Sequence, residues 1–457
     1  MSPHIPRRNE ALAHLLAEAN LTSAELAREV NRLAAAHDVL LRYDRTSVAH
    51  WLTGSRPRDF VARSVAEVLT RRIGRLIDAS ETGLVREPAV RRADPVPEPA
   101  PRDSLSGLVA LARTDTEPKH RPALRAYVFQ ERPVPDVRVL PSATGTDRPG
   151  AEAKAGAADV ERVRFVVNRF YANWTRFGGA HARGALASYL GDDMGSLLAR
   201  AVLPDVRLAL VSASARLAYI LGGASADAGY QGLAQRYHFL ALDAAAEAGD
   251  DRVRAMTLRS MSVQALRMQA PRYAVDLADA AVTAVGQAQD GDLRAFVLAQ
   301  RAYARAVAGE PHDARRDLSA AERSLGRAAP GDGPFARYSP AGFAYRSGQV
   351  LCRLGDVQPA LASLRSAVET RSGHENCLRA LSQARLALTL LDQGLVDEAC
   401  FYGRLFAREY PGLRSHRATL MSRELRARLS KFRRHRMAVD VLRALSALDP
   451  PSGTAQQ

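Results

Sequence analysis

Apolar side chains recur along this chain at intervals of three and four residues, which is the spacing of one face of an α-helix. They follow this spacing within residues 8–19, 22–33 and 60–73. Alanine is abundant, whereas aromatic residues make up only 6% of the chain, a balance that favours helices over sheets. The sequence therefore predicts an all-α protein, and its length of 457 residues predicts more than one domain.

The first predicted domain, residues 1–80, holds four short helices. The second of them begins at a capping box, in which the Thr22 hydroxyl and the Glu25 carboxylate each bond a backbone N–H that the helix end leaves free. Residues 34–43 are predicted to extend this helix and then to form a loop. The third predicted helix, residues 45–53, follows that loop.

The third helix has two different faces. Asp44 is a suitable N-cap, because its side-chain oxygen can accept a bond from the first turn. Val48, Trp51 and Leu52 fall on one side and are predicted to pack inward. Polar side chains fall on the other side, and arginines follow within reach of phosphates, as a helix in a DNA major groove requires. These outward and following side chains are Arg45, Thr46, His50, Arg56 and Arg58.

The charge balance fits this interpretation without proving it. The formal net charge is +15 and the pI is about 10.2, which suits a nucleic acid or any other polyanion. Only three of the 64 basic residues are lysines, so the preference for arginine is a property of the whole chain rather than of one site. A small helical bundle without any DNA contact stays open as the alternative.

Two stretches carry a resemblance to known regulators. T-S-A-E-L-A-R-E-V (22–30) and T-S-V-A-H-W-L-T-G-S-R-P-R (46–58) resemble the Xre/Cro-type helix-turn-helix. Residues 8–19 and 42–51 resemble the N-terminus of actinobacterial helix-turn-helix regulators of the NsdA type, which carry a TPR-like C-terminal domain. Those regulators are associated with repression of sporulation and antibiotic production.

The resemblance implies double-stranded DNA as a partner and assigns roles to individual residues. In Xre-type domains the first, second and sixth residues of the recognition helix read bases, and here these are Arg45, Thr46 and His50. The connection 34–43 is longer than in the minimal Xre pattern, so the angle at which the recognition helix arrives stays open. The expected contacts to the DNA backbone are Ser47, Thr53, Ser55, Arg56 and Arg58.

Residues 81–158 are predicted to be a Pro-rich linker. Eleven of the chain's 24 prolines lie between Pro88 and Pro149, and proline restricts both helix and sheet. A short helix around 104–113 and an extended element within 125–140 are compatible with the pattern. Disorder throughout the segment is equally compatible.

Residues 159–450 are predicted to form a TPR-like α-solenoid. Helix-breaking residues recur at roughly 40-residue intervals, which is the length of a two-helix repeat. An array of this kind offers a groove for a peptide or protein ligand, and it can equally serve to form a homodimer. The recurring positions are Gly229, Pro271, Pro311, Gly355 and Gly394.

Chemical motifs are sparse. We find no phosphate-binding loop, no dinucleotide fingerprint and no nucleophile elbow, so no enzyme activity and no cofactor are expected. His374 and Cys377 are spaced like metal ligands but lack companions in the sequence, so no metal site is expected. Three cysteines fit a reducing cytoplasm. Residues 201–222 are apolar but interrupted by proline and charges, so they are not expected to cross a membrane.

One strongly basic stretch, residues 404–436, contains ten arginines and Lys431 against two glutamates. A solvated helix face explains it more simply than a second contact with a polyanion does. The sequence as a whole predicts a cytoplasmic transcriptional regulator, a repressor of development or secondary metabolism. The rival hypothesis is a TPR-type protein-interaction adaptor without specific DNA binding.

Overall fold

The part of the chain that the structure describes is predominantly helical. No strand occurs among those residues, which confirms the predicted all-α class. A computed structural model describes residues 8–36, 41–73, 77, 79, 81–85, 104–120, 123–124, 127–134, 155–200, 203–286, 290–326 and 337–447.

Internal contacts divide the chain into two compact units. The smaller unit comprises Met1–Pro97 with the short segments Val128–Pro133 and Arg267–Gln269. The larger unit comprises Glu98–Tyr127, Val134–Leu266 and Ala270–Gln457.

The smaller unit contains the four helices that the sequence predicts. Apolar side chains from all four pack into one core, which also includes Leu84 near the end of the described segment. The apolar residues that the spacing predicts to face inward, such as Leu12 and Leu15 on the first helix and Val65 and Leu69 on the fourth, are buried, because each helix places them on one stripe. The helices are α1 Glu10–Glu18, α2 Ser23–Ala36, α3 Arg45–Leu52 and α4 Asp59–Ile73.

The larger unit continues with one helix after another. It begins with α5 Ser104–Thr116, α6 Ala157–Phe177, α7 Arg183–Tyr189, a π-helix Leu190–Met194, α8 Gly195–Ala199, α9 Pro204–Asp227 and α10 Gln231–Ala248. It continues with α11 Asp251–Arg267, α12 Pro271–Val285, α13 Gly291–Ala308, α14 Pro311–Ser324, α15 Pro340–Leu354 and α16 Val357–Glu369. It ends with α17 Asn376–Asp392, α18 Val396–Glu409, α19 His416–Leu429 and α20 Arg436–Ser446, with single 3-10 turns before and after α19.

The helix-breaking positions read from the sequence all fall at the first residue of a helix or between helices. Pro271 and Pro311 begin α12 and α14, where a missing N–H costs no hydrogen bond. Gly355 ends α15 with a φ of 82°, a left-handed conformation that favours glycine. Consecutive helices pack as pairs, including α9 with α10 and α13 with α14. This run of packed helices is of the solenoid type, as predicted. The sequence also predicts a joint between two hairpins at residues 331–333, and these residues lie outside the described part of the chain.

Helix α9 is long and apolar enough to cross a membrane by length and composition alone. Most of its apolar stretch is buried inside the protein, where α6 and α10 pack against it. Its hydrophobicity is therefore that of a core helix.

The first helix of the array also contacts late elements. Helix α6 packs against α17, and the backbone after it bonds with the segment before α19. The Asp227 carboxylate accepts from the Gly179 N–H at 2.7 Å and from the Ser415 hydroxyl at 2.8 Å. A Cβ on Gly179 would lie 2.3 Å from the carbonyl oxygen of Ala224, so the approach requires glycine. These contacts connect the early helices of the array with its late helices.

The structure describes one helix within the predicted Pro-rich linker. The short helix expected around 104–113 forms as α5 and packs against α7, α10 and the π-helix. Its Asp115 is buried, forms an ion pair with Arg183 and accepts a hydrogen bond from the Tyr237 hydroxyl at 2.9 Å. The described portion of the expected extended element, residues 127–134, has no regular secondary structure. The remainder of that element lies outside the described residues.

The basic stretch 404–436 extends over three helices rather than one face. Arg428 forms ion pairs with Asp392 and Glu424, so part of its charge is balanced within the array. Arg433 and Arg434 are exposed between α19 and α20. The charge excess counted in the sequence is thus divided between internal pairs and solvent.

Candidate DNA-binding surface

Helix α3 starts at a capping box formed by Asp44. The Asp44 carboxylate accepts the Ser47 N–H and the Ser47 hydroxyl, both at 2.8 Å, and the Asp44 N–H donates to the Ser47 oxygen at 3.3 Å. These bonds, the backbone one first, hold the pKa of Asp44 below its ordinary value. The predicted N-cap is confirmed, and it makes Arg45 the first residue of the helix.

The inner face of α3 is anchored in the core of the smaller unit. Val48 is fully buried and Trp51 is 4% exposed, as predicted. The Trp51 ring meets Tyr43 edge to face, with 5.1 Å between the ring centroids. This contact packs the inner face of α3 against the residue that precedes its N-cap.

The segment entering α3 is held by Asn31 of α2. The Asn31 side-chain N–H donates to the Tyr43 carbonyl at 2.7 Å, and its side-chain oxygen accepts the Tyr43 N–H at 2.9 Å. The two bonds fix the backbone one residue before the N-cap, although the preceding loop is longer than in the minimal pattern. Sequence reasoning missed this role, because an asparagine inside a helix gives no sign of a partner twelve residues away.

The far end of α3 is held by Asn9, just before α1. The Asn9 N–H donates to the Leu52 carbonyl at 2.9 Å. Its side chain caps α1 by accepting the Leu12 N–H at 3.0 Å and donates to the Thr82 carbonyl at 2.9 Å. Both ends of α3 are therefore fixed by polar contacts that the sequence pattern does not reveal.

The base-reading candidates lie on the outer face. Arg45, Thr46 and His50 are all exposed, on the side of α3 opposite Val48 and Trp51. The Arg45 guanidinium makes no hydrogen bond or ion pair with any residue that the structure describes. It is therefore available to a ligand without first breaking an internal contact.

Two arginines extend this positive surface beyond the helix. Arg56 and Arg58 are exposed, and within the described residues their side chains also lack hydrogen bonds and ion pairs. Between them and α3, Gly54 adopts a φ of 101°, which turns the chain after the helix.

The hydroxyl side chains expected to contact the DNA backbone differ in whether they already donate a hydrogen bond within the protein. The Ser47 hydroxyl donates within the capping box, and the Thr53 hydroxyl donates to the His50 carbonyl at 3.0 Å. Each would have to give up that bond to donate to a phosphate. Ser55 is exposed, and its backbone N–H is bonded to the His50 carbonyl at 2.9 Å.

Comparison with known proteins gives one local similarity. Residues 12–85 are similar to the family described as the SP15 N-terminal domain. The matched stretch includes α2, α3 and α4 and ends beside Leu84, the last buried residue of the small core. None of the curated proteins is similar enough to count as a relative of this chain.

Proposed function

We propose that the protein is a DNA-binding transcriptional regulator whose smaller unit inserts α3 into the major groove. The observation that carries the proposal is the division of α3 into two faces. One face is buried through Val48 and Trp51, and the other presents Arg45, Thr46 and His50 to solvent. A helix held firmly on one side and polar on the other is what groove reading requires.

Arg45 is the proposed principal base contact. Its guanidinium has no internal partner among the described residues, and it can donate two parallel bonds to guanine O6 and N7. Arg56 and Arg58 are proposed to contact phosphates, together with Ser55 and, after release of their internal bonds, Ser47 and Thr53. Such contacts add affinity for any sequence and set the register of the helix.

The larger unit is proposed to dimerise the protein or to sense a partner in its groove. Dimerisation would place two copies of α3 on half-sites about one DNA turn apart. The sequence resemblance to NsdA-type regulators supports repression of development or secondary metabolism as the outcome, and the cytoplasm as the location.

The first test is binding of the full chain to a pool of random double-stranded DNA, followed by sequencing of the bound fraction. Arg45→Ala should flatten the preference at one base position, by about 1–3 kcal/mol of discrimination. Arg56→Ala should leave the preferred sequence unchanged but weaken binding to all sequences, and lower the slope of log K against log salt by about one.

The matched control is Arg294→Ala, which removes an exposed positive charge from the larger unit. It should change neither the preferred sequence nor the salt slope. If Arg45→Ala leaves the bound-sequence profile as it was, α3 is not the reading element. If the wild-type chain selects no sequence at all, the adaptor hypothesis replaces this one.

A further inference from the structure

The larger unit contains a partly open cavity of about 320 Å³ between α6, α9, α11, α13, α15 and α17. This volume is within the range of small-molecule sites. The cavity lies entirely within the helical array, so what it binds is independent of whether α3 reads DNA. Its lining combines two kinds of side chain, aromatic rings and arginines.

Positive charge predominates in the lining. Among the described residues that line the cavity there are five arginines and three carboxylates. The carboxylates are already engaged: Asp227 binds Gly179 and Ser415, as described above. Asp292 accepts the backbone N–H groups of Gly326 and Tyr338. The third carboxylate, Glu375, lies 3.6 Å from Arg371. None of the three is paired with Arg259 or Arg346.

Arg346 is the clearest unsatisfied group. It is only 7% exposed, and its Nε is buried without an acceptor. Its guanidinium lies 4.9 Å from the centre of the Tyr303 ring, and the side chain makes no hydrogen bond or ion pair with a carboxylate among the described residues. A buried guanidinium without an anion is costly, so a site that tolerates one is prepared for a negative partner.

Arg259 faces the same cavity. Its guanidinium lies 4.1 Å from the centre of the Phe296 ring, and its Nε is also buried without an acceptor. Burial first, and the positive charge of Arg346 second, lower the pKa of Arg259 to about 10. The two arginines thus destabilise each other in the free protein, and an anion between them would relieve that repulsion.

The aromatic side chains in the lining indicate which kind of molecule can carry the anionic group of the ligand. Trp174 and Tyr219 meet edge to face at 6.3 Å, and Phe296 meets Tyr338 at 5.0 Å. These rings line the cavity beside the arginines and favour an apolar or aromatic body. The two parallel N–H groups of an arginine guanidinium match the paired oxygens of carboxylates and phosphates.

We propose that this cavity binds a small organic anion, a carboxylate or phosphate carried on an aromatic body, with Arg259 and Arg346 holding the anionic group. The aromatic rings would enclose the body. A ligand of this kind would rigidify elements from both halves of the array at once, since α6, α11 and α15 all contribute to the lining.

The test is calorimetric titration of the full chain, without DNA, using three probes with one ring system. These are 2-naphthoate, 2-naphthyl phosphate and the neutral 2-naphthalenemethanol. At least one anion should bind ten-fold or more tightly than the neutral probe, and the better of the two identifies carboxylate or phosphate as the preferred head. Equal binding of all three probes, or no binding of either anion, would overturn the proposal.

Variants distinguish the cavity from general surface charge. Arg346→Gln and Arg259→Gln should each weaken binding of the preferred anion by ten-fold or more, while the neutral probe is unaffected. Arg346→Lys keeps the positive charge but cannot donate two parallel hydrogen bonds. Its affinity for the preferred anion should therefore lie between those of the wild type and Arg346→Gln. Arg294→Gln, at an exposed site, should bind as the wild type does. An unchanged affinity in both glutamine variants would contradict the assignment.

Thermal unfolding of the protein without a naphthyl probe shows whether each variant is folded, and it provides a second measurement of anion binding. Removal of an unpaired buried charge should leave the midpoint of Arg259→Gln no lower than that of the wild type. Inorganic phosphate, compared with chloride at equal ionic strength, should raise the wild-type midpoint and raise that of the glutamine variants less. A phosphate response of equal size in all of them would assign the effect to another surface.

Discussion

At the scale of single residues, Asn31 determines how the candidate recognition helix is presented. Its amide bonds both backbone groups of Tyr43, and the Tyr43 ring in turn rests against Trp51. One side chain on α2 therefore sets the point at which the chain enters α3. The residues proposed to face DNA lie on the helix that this contact holds, although they do not touch Asn31.

Asn31→Ala should lower the free energy of unfolding of the smaller unit by about 1–3 kcal/mol, because the Tyr43 backbone loses both partners. Chemical denaturation of the full chain, followed by Trp51 fluorescence in a Trp174→Phe background, measures this directly. Asn31→Asp retains the acceptor for the Tyr43 N–H and loses the donor. Its free energy of unfolding should therefore lie between those of the wild type and Asn31→Ala. Equal stability of the wild type and Asn31→Ala would show that the two hydrogen bonds between Asn31 and Tyr43 do not stabilise the smaller unit.

The Asp44 cap gives a dependence on pH. Its pKa is lowered in the folded state by the Ser47 N–H and then the Ser47 hydroxyl, from an ordinary value of 3.8. Because the folded pKa lies below the unfolded one, the stabilisation is fully present above pH 3.8 and is lost as the pH falls through the folded pKa. Asn is also a good N-cap but does not titrate there.

The stability advantage of the wild type over Asp44→Asn should therefore be largest near neutral pH and shrink as the pH is lowered below about 4. Urea unfolding of both proteins at a series of pH values provides the comparison. An advantage that stays constant through this range would mean that the Asp44 charge is not linked to folding.

At the scale of elements, α5 shows how a segment rich in prolines can still contribute a structural helix. Asp115 lies at the end of α5 and is 2% exposed, between Arg183 of α7 and Tyr237 of α10. Burial in this network raises the pKa of Tyr237 well above its ordinary value. The tyrosine therefore stays protonated and can donate to the carboxylate.

Asp115→Ala should reduce the free energy of unfolding of the larger unit by about 3–5 kcal/mol, because it leaves the Arg183 guanidinium buried without its anion. Tyr237→Phe removes one bond to a charged group and should cost about 1.5–3 kcal/mol. Glu161→Ala breaks an exposed pair with Arg164 and serves as the control, with an expected cost below about 1 kcal/mol. Similar losses for Asp115→Ala and Glu161→Ala would show that the network is not structural.

At the scale of the larger unit, Asp227 connects residues that are far apart in the sequence. It joins Gly179, just after α6, to Ser415, just before α19. Two backbone bonds between residues 177–180 and Arg414 reinforce this junction. A solenoid usually has contacts only between neighbouring repeats, whereas this array also has contacts between its early and late helices.

Asp227→Ala should destabilise the larger unit by about 3 kcal/mol, because two buried donors lose their acceptor. Asp205→Ala, at an exposed position in the first turn of the same helix, should have little effect. Urea denaturation of the full chain distinguishes the two. A loss for Asp227→Ala no greater than for Asp205→Ala would mean that the junction does not stabilise the array.

The sequence by itself determined the elements of this protein, because the signals for them are local. Apolar spacing, the Asp44 and Thr22–Glu25 caps and the helix-breaking residues each act within a few positions of the chain. They predicted the four helices of the smaller unit, the buried face of α3 and the helix boundaries in the array. The caps at Thr22 and Asp44 form as expected, with the Thr22 N–H 2.8 Å from the Glu25 carboxylate.

Tertiary structure decided everything that joins distant residues. The bonds of Asn31 to Tyr43, of Asp115 to Arg183 and of Asp227 to Ser415 connect positions whose separation gives no periodic signal. The same holds for Arg259 and Arg346, which come from different helices and both line the cavity. In the sequence they are two of many arginines. Burial without a partner is what distinguishes them, and burial is a property of the packed chain.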